Sequence, residues 1–121
     1  MPGALLNFYL SDIYYKGGDL KKAKFHGEAA AMAGNEAARY NLGMIEARSG
    51  NLGRAIKHWT IAASAGDFGA MHQLRAIFEA GALSRDEIDS SLTAYNDCCV
   101  EMRSEARDAY LREYINDIGA G

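Results

Sequence analysis

The chain has 121 residues, enough for one domain that buries roughly two-thirds of its unfolded surface. Apolar residues make up 49% and charged residues 24%, with a net charge of −3, which excludes a disordered chain and an electrostatic footprint for nucleic acid. No apolar run approaches the ~20 residues that span a bilayer, residues 1–6 carry no basic signal region, and the adjacent Cys98 and Cys99 make no disulfide framework. The expected setting is therefore intracellular, in the cytoplasm, away from membranes.

The only proline is Pro2 and alanine is abundant, so the composition leans helical. Glycine is frequent but regularly spaced, and an offset of 32 residues brings the sequence onto itself without a gap from 4 to 78. Leu10 falls on Leu42 and Leu74, and Ile13 on Ile45 and Ile77. Gly18 meets Gly50, Ala23 meets Ala55, His26 meets His58, and Ala33-Gly34 meets Ala65-Gly66. A unit of this size fits two helices and two tight turns.

Taken in chain order, the pattern predicts helices near 3–17, 19–33, 35–49, 51–65 and 67–81. Gly18, Gly34, Gly50 and Gly66 should each leave a helix in the left-handed conformation. The residues that follow them, Asp19, Asn35, Asn51 and Asp67, should N-cap the next helix. Connections of one to three residues force antiparallel neighbours. The sixth helix opens on Ser84-Arg85-Asp86-Glu87, a capping box. Ile88, Leu92, Tyr95, Cys99, Met102, Ala106 and Ala109 then recur at 4,3 spacing, with no Gly or Pro before Gly119. The last helix should be about twice as long as the others and should cover the apolar end of the stack.

The second unit reads Ala38-Arg39-Tyr40-Asn41-Leu42-Gly43, then Arg54-Ala55-Ile56-Lys57-His58-Trp59-Thr60-Ile61-Ala62-Ala63-Ser64-Ala65-Gly66. It resembles the Sel-one-like repeat, a relative of the tetratricopeptide repeat, with A-x-x-x-L-G on the first helix and R-A-x-x-x-W-x-x-A-A-x-x-G on the second. Residues 101–108 also resemble the C-terminal part of algal repeat proteins. Some of those carry a RING-type zinc domain upstream; this sequence holds none, so ligase chemistry does not carry over. The other units depart from the pattern: Gly27 stands in the place of Trp59, Ser11 and Arg75 in the place of Gly43, and Glu46 where Tyr14 and Phe78 stand. Arg75 predicts that the long helix does not pack as an ordinary second helix. Gly43 should let the two helices of a unit approach closely, and Trp59 should fill the space between units.

The resemblance implies an all-α fold: a right-handed α-solenoid of antiparallel helix pairs, with a long C-terminal capping helix. The chain is one domain, 1–121, with repeats near 4–34, 35–66 and 67–118. In such folds the first helix of each pair lines a concave wall. The wall positions are then Phe8, Asp12 and Tyr15, next Tyr40, Asn41, Met44 and Arg48, and finally His72, Gln73 and Glu79. Asn41 suits a peptide backbone, Tyr40 and Met44 an apolar side chain, and Arg48 a carboxylate. Tyr15, Tyr40 and Met44 serve equally well as packing between repeats.

The sequence contains no GxSxG, HExxH, phosphate-loop or dinucleotide fingerprint, and no enzyme activity, cofactor or metal is expected. His26 and His58 read as half-exposed helix residues, although one repeat places their helices about 10 Å apart. Cys98 and Cys99 point about 100° apart and read as small hydrophobes. The expected function is a non-enzymatic protein–protein interaction or scaffold module that binds a peptide or partner protein in its groove, without nucleic acid or membrane. The alternative is structural: a C-terminal piece of a larger repeat protein of adaptor or ubiquitin-ligase type, or a homo-oligomer formed through the uncovered Leu5, Leu6 and Tyr9 face.

Overall fold

A computed structural model describes residues 2–120, with side chains from Gly3 to Gly119. Six helices follow one another: α1 (Pro2–Lys16), α2 (Leu20–Met32), α3 (Ala37–Arg48), α4 (Leu52–Ser64), α5 (Phe68–Glu79) and α6 (Arg85–Ala120). No strand occurs among the described residues. The fold is all-α, and each helix packs against its neighbours in the chain; α1 also touches α3, and α4 touches α6.

The turns follow from glycine. Gly18, Gly34, Gly50 and Gly66 have φ of +86°, +95°, +86° and +90°, and Gly81 joins them at +84°. After each glycine the next amide turns back to a carbonyl five residues earlier, as in Asp19 N to Tyr14 O at 2.9 Å and Asn51 N to Glu46 O at 2.8 Å. These are Schellman closures, which satisfy carbonyls that the helix end leaves open. Asp19 and Asp67 then cap as expected, accepting from the Lys22 and Ala70 amides at 3.1 and 2.9 Å. Asn35 accepts from Ala38 N at 3.2 Å, although α3 begins one residue later than that cap implies, with Glu36 at its N-cap. The Asn51 side chain makes no cap bond, and only its carbonyl serves α4. Ser84 caps α6 through the Glu87 amide at 3.1 Å.

The length of α6, 36 residues, has a local cause. One repeat beyond Gly66 the sequence places Cys98, not glycine. A side chain there disfavours the left-handed conformation that ends every earlier helix, so α6 runs on through the position of a turn. Its first half packs on α4 and α5, and Cys98 and Met102 lie against Gly66. From Val100 to Gly119 every residue is exposed. The expected capping role therefore holds for the first half alone: Ala106 and Ala109 keep their spacing, but the body ends before they can dock.

The interior forms two clusters. Ala23, Leu42 and Ile45 bring α2 against α3. Ala55, Trp59, Ala62, Ala63, Ala70, Met71, Leu74, Leu83 and Ile88 join α4, α5 and α6. Trp59, 3% exposed, lies on Gly43 of its own helix pair, and its Nε1 donates to Tyr40 O at 3.2 Å. It thus fills the space within a helix pair as well as between pairs. Gly27 plays the matching part in the first pair: a Cβ there would sit 3.0 Å from Leu42 Cδ2 and Ser11 Oγ.

Candidate functional site

The first helix of each pair carries the residues singled out for the concave wall. Two links, each between residues 33 apart, tie these helices together. Arg48 Nη1 donates to Tyr15 O at 3.0 Å, and its guanidinium lies 5.2 Å from the centre of the Tyr15 ring. Gln73 Nε2 donates to the Tyr40 hydroxyl at 3.5 Å. Tyr40 and Met44 also pack against the larger core cluster, and Tyr15 against the smaller. The Tyr40 ring closes on Gly69 of α5, where a Cβ would lie 3.1 Å from its Cε2. Phe8 tilts against Tyr9, with centroids 5.7 Å apart. Asp12 pairs with Lys16 at 2.9 Å, and Asn41 is half-buried. The structure thus joins Tyr15 to Arg48 and Tyr40 to Gln73, and leaves Phe8, Asp12 and Asn41 apart from them.

His72 and Glu79 have a different setting. They line a cleft of about 390 Å³ between α5 and α6, together with Phe68, Met71, Arg75, Phe78, Arg85, Ile88, Asp89 and Leu92. Met71 and Ile88 form its buried floor. Phe68, 71% exposed, stacks on His72 with centroids 6.3 Å apart. The rim carries two ion pairs, Arg75–Glu79 and Arg85–Asp89, both at 3.8 Å. The Arg85 guanidinium also stands 5.9 Å from the Phe78 ring.

The cleft has a cause in the sequence. Ser11 and Gly43 are buried at the equivalent positions of the first two pairs, where Ser11 donates to Ala23 O at 2.8 Å and Gly43 meets Trp59. Arg75 is too large for that role, so α6 cannot close on α5 as α4 closes on α3. The cleft-lining Phe68, Met71, Phe78, Arg85, Ile88, Asp89 and Leu92 were not among the residues expected from sequence. Arg75 was the signal that could have found them.

A polar cluster joins α2, α3 and α4. Glu46 is 1% exposed, with Lys24 Nζ at 3.2 Å and Arg54 Nη1 at 3.7 Å. Its Oε2 and His58 Nδ1 are buried without a hydrogen-bond partner among the described residues. Burial, then the Arg39 charge, pushes the His58 pKa below its ordinary value, while Glu46 and Glu28 pull the other way. Burial thus favours the neutral form of His58. His26 meets Asn7 Oδ1 at 3.0 Å and stacks on Tyr14. Among the described residues no group of three or more His, Cys, Asp or Glu could hold a metal ion.

Cys98 and Cys99 are free and half-buried. Burial, then the neighbouring Cys99, raises the Cys98 pKa and disfavours the thiolate. The Cys99 hydrogen bond, then burial, raises that of Tyr95. No helix among the described residues is long and apolar enough to cross a membrane.

Compared with models of known families, with curated proteins and with solved structures, the chain matches none.

Proposed function

We propose that the chain is a short right-handed α-solenoid of Sel-one-like, tetratricopeptide-type repeats, and that it works as a non-enzymatic interaction module for a peptide or partner protein. The observation that carries this reading is the α5–α6 cleft: an apolar floor, an exposed aromatic at its mouth and a rim of two ion pairs. Such a combination of apolar lining and a few convergent polar groups suits a bound side chain. An apolar anchor of the partner enters between Phe68, Phe78 and Leu92. A carboxylate beside it exchanges with Glu79 or Asp89 for Arg75 or Arg85. The remainder of the peptide runs along the first-helix wall past Tyr40, Asn41, Met44 and Arg48.

The test uses peptides selected against the immobilised chain from a random display library, followed by calorimetric titration. Phe68→Asp and Leu92→Asp alter exposed side chains, so they should keep the fold and abolish binding. Arg48→Glu and Tyr40→Ala should weaken it. Binding indifferent to all four substitutions would remove the assignment.

A second reading, a structural segment of a longer array or of a self-assembling one, is favoured by α1. Leu5, Leu6, Tyr9 and Ile13 are all exposed there, whereas Ala38 and Ile45, the counterparts of Leu6 and Ile13 one repeat on, are buried. Their exposure leaves room for one more helix pair. Light scattering at several concentrations tests the self-assembling form: a monomer throughout, or assembly indifferent to Leu6→Asp, argues against it.

A further inference from the structure

Among the described residues, the outer half of α6 packs against no other helix. At about 100° per residue, Tyr110, Leu111, Tyr114, Ile115 and Ile118 occupy an arc of about 140°, while Arg112, Glu113, Asn116 and Asp117 occupy the rest. All five apolar residues are exposed, Tyr110 by 67% and Ile115 by 64%. Tyr110 and Tyr114 stack along the helix, with centroids 6.4 Å apart and planes 12° from parallel. Toward the body the same face continues through Arg107, Arg103 and Val100. A segment of this length, with no packed face, is only marginally helical in water. An apolar stripe of this kind needs a second helix to hold it.

The charges say which helix. Arg103 and Asp117 lie seven residues to either side of Tyr110, on the same flank of the stripe. Turn a second copy antiparallel, with Tyr110 beside its own counterpart. Arg103 then falls opposite Asp117 of the second copy, and Asp117 opposite its Arg103. Val100 comes near Ile118 of the second copy in the same register, again twice. A parallel pair in register would instead set Arg107, near the centre of the stripe, against its own copy and leave Arg103 far from Asp117 of the second copy. The face is therefore self-complementary in one orientation only, as a twofold contact requires. From Arg85 onward α6 carries nine acidic and four basic residues, a balance that anionic lipid would repel.

We propose that residues 100–118 of α6 form an antiparallel helix pair with the same residues of a second copy of the chain. About 28 Å of helix takes part, a contact at the small end of specific interfaces, so the pair forms reversibly and depends on concentration.

Sedimentation equilibrium of the full chain from low micromolar to millimolar concentration tests this, with circular dichroism to check that each variant folds. The wild type should show a reversible monomer–dimer equilibrium, and Ile118→Asp should be monomeric. Arg103→Asp and Asp117→Arg each place like charges opposite one another, and each should weaken the dimer about fivefold to tenfold. The double variant restores opposite charges and should return to within about twofold of the wild type. A monomer at every concentration, a dimer lost through Leu6→Asp on α1 but kept in Ile118→Asp, or a double variant no better than the single ones would each overturn the proposal.

Discussion

Replacing Gly43 by alanine tests how closely α3 and α4 must approach. A Cβ at this position would sit 2.3 Å from Trp59 Nε1 and 2.6 Å from both Cδ1 and Cε2. Ordinary contact begins near ~3.4 Å, so the indole must retreat by about 1 Å. Its Nε1 already reaches Tyr40 O at 3.2 Å, and a retreat of that size breaks the bond. Overpacking a filled interior costs ~1–3 kcal/mol and the lost hydrogen bond about 1 kcal/mol, against a gain of ~1 kcal/mol from alanine in a helix. The net loss is about 1–3 kcal/mol, which lowers Tm by roughly 4–12 °C for a chain of this size. Thermal and urea melts followed by circular dichroism measure it. Trp59 is the only tryptophan, so its emission should shift to the red as the ring moves toward water. In a Trp59→Leu background the clash is absent, and Gly43→Ala should become neutral or stabilising. An unchanged Tm with unchanged emission, or the same destabilisation in both backgrounds, would refute the reasoning.

Other substitutions have equally definite outcomes. Gly53 lies in α4 with nothing within 4 Å of an added Cβ, so Gly53→Ala should stabilise the chain by about 0.5–1 kcal/mol in the same melts. Lys24→Met strands the buried Glu46 carboxylate with only Arg54 at 3.7 Å. Because Lys24 is itself partly exposed, solvent screening reduces the cost of a fully buried broken pair to about 1–2 kcal/mol. Lys16→Met, which removes an exposed pair, should cost under ~0.5 kcal/mol. His58 has a folded pKa below 6.5, so the unfolded chain takes up its proton first as the pH drops. Stability should be full above pH 6.5 and decline below it, toward the folded pKa, and His58→Gln should remove that part of the slope in denaturant titrations.

Much of the architecture was legible because one device recurs. The glycine that ends each helix and the residue that opens the next stand at fixed spacing, and both ends of each of the first five helices fall within two residues of their predicted places. Asn51 shows the limit of that reading: its residue type suits a cap, but its side chain makes no cap bond. The last helix was legible in length and not in reach. Periodicity reports which residues share a face, whereas docking depends on where the body stops, and it stops near Met102. The same distinction governs the site. Tyr15 and Arg48 hold wall positions in the repeat pattern, and the structure turns them toward each other. The cleft arises from a helix that fails to close, so only the misfit at Arg75 announced it. Phe68 and Leu92 were hidden because an exposed apolar residue looks like any other until the gap beside it is known.

The most direct test of the interaction account is a heteronuclear NMR titration of the ¹⁵N-labelled chain with a peptide selected against it. Amide shifts should concentrate in 68–79 and 85–92, with smaller changes along 40–48, and they should vanish in Phe68→Asp. Shifts confined to α1 and α2, or a response unchanged by Phe68→Asp, would contradict it.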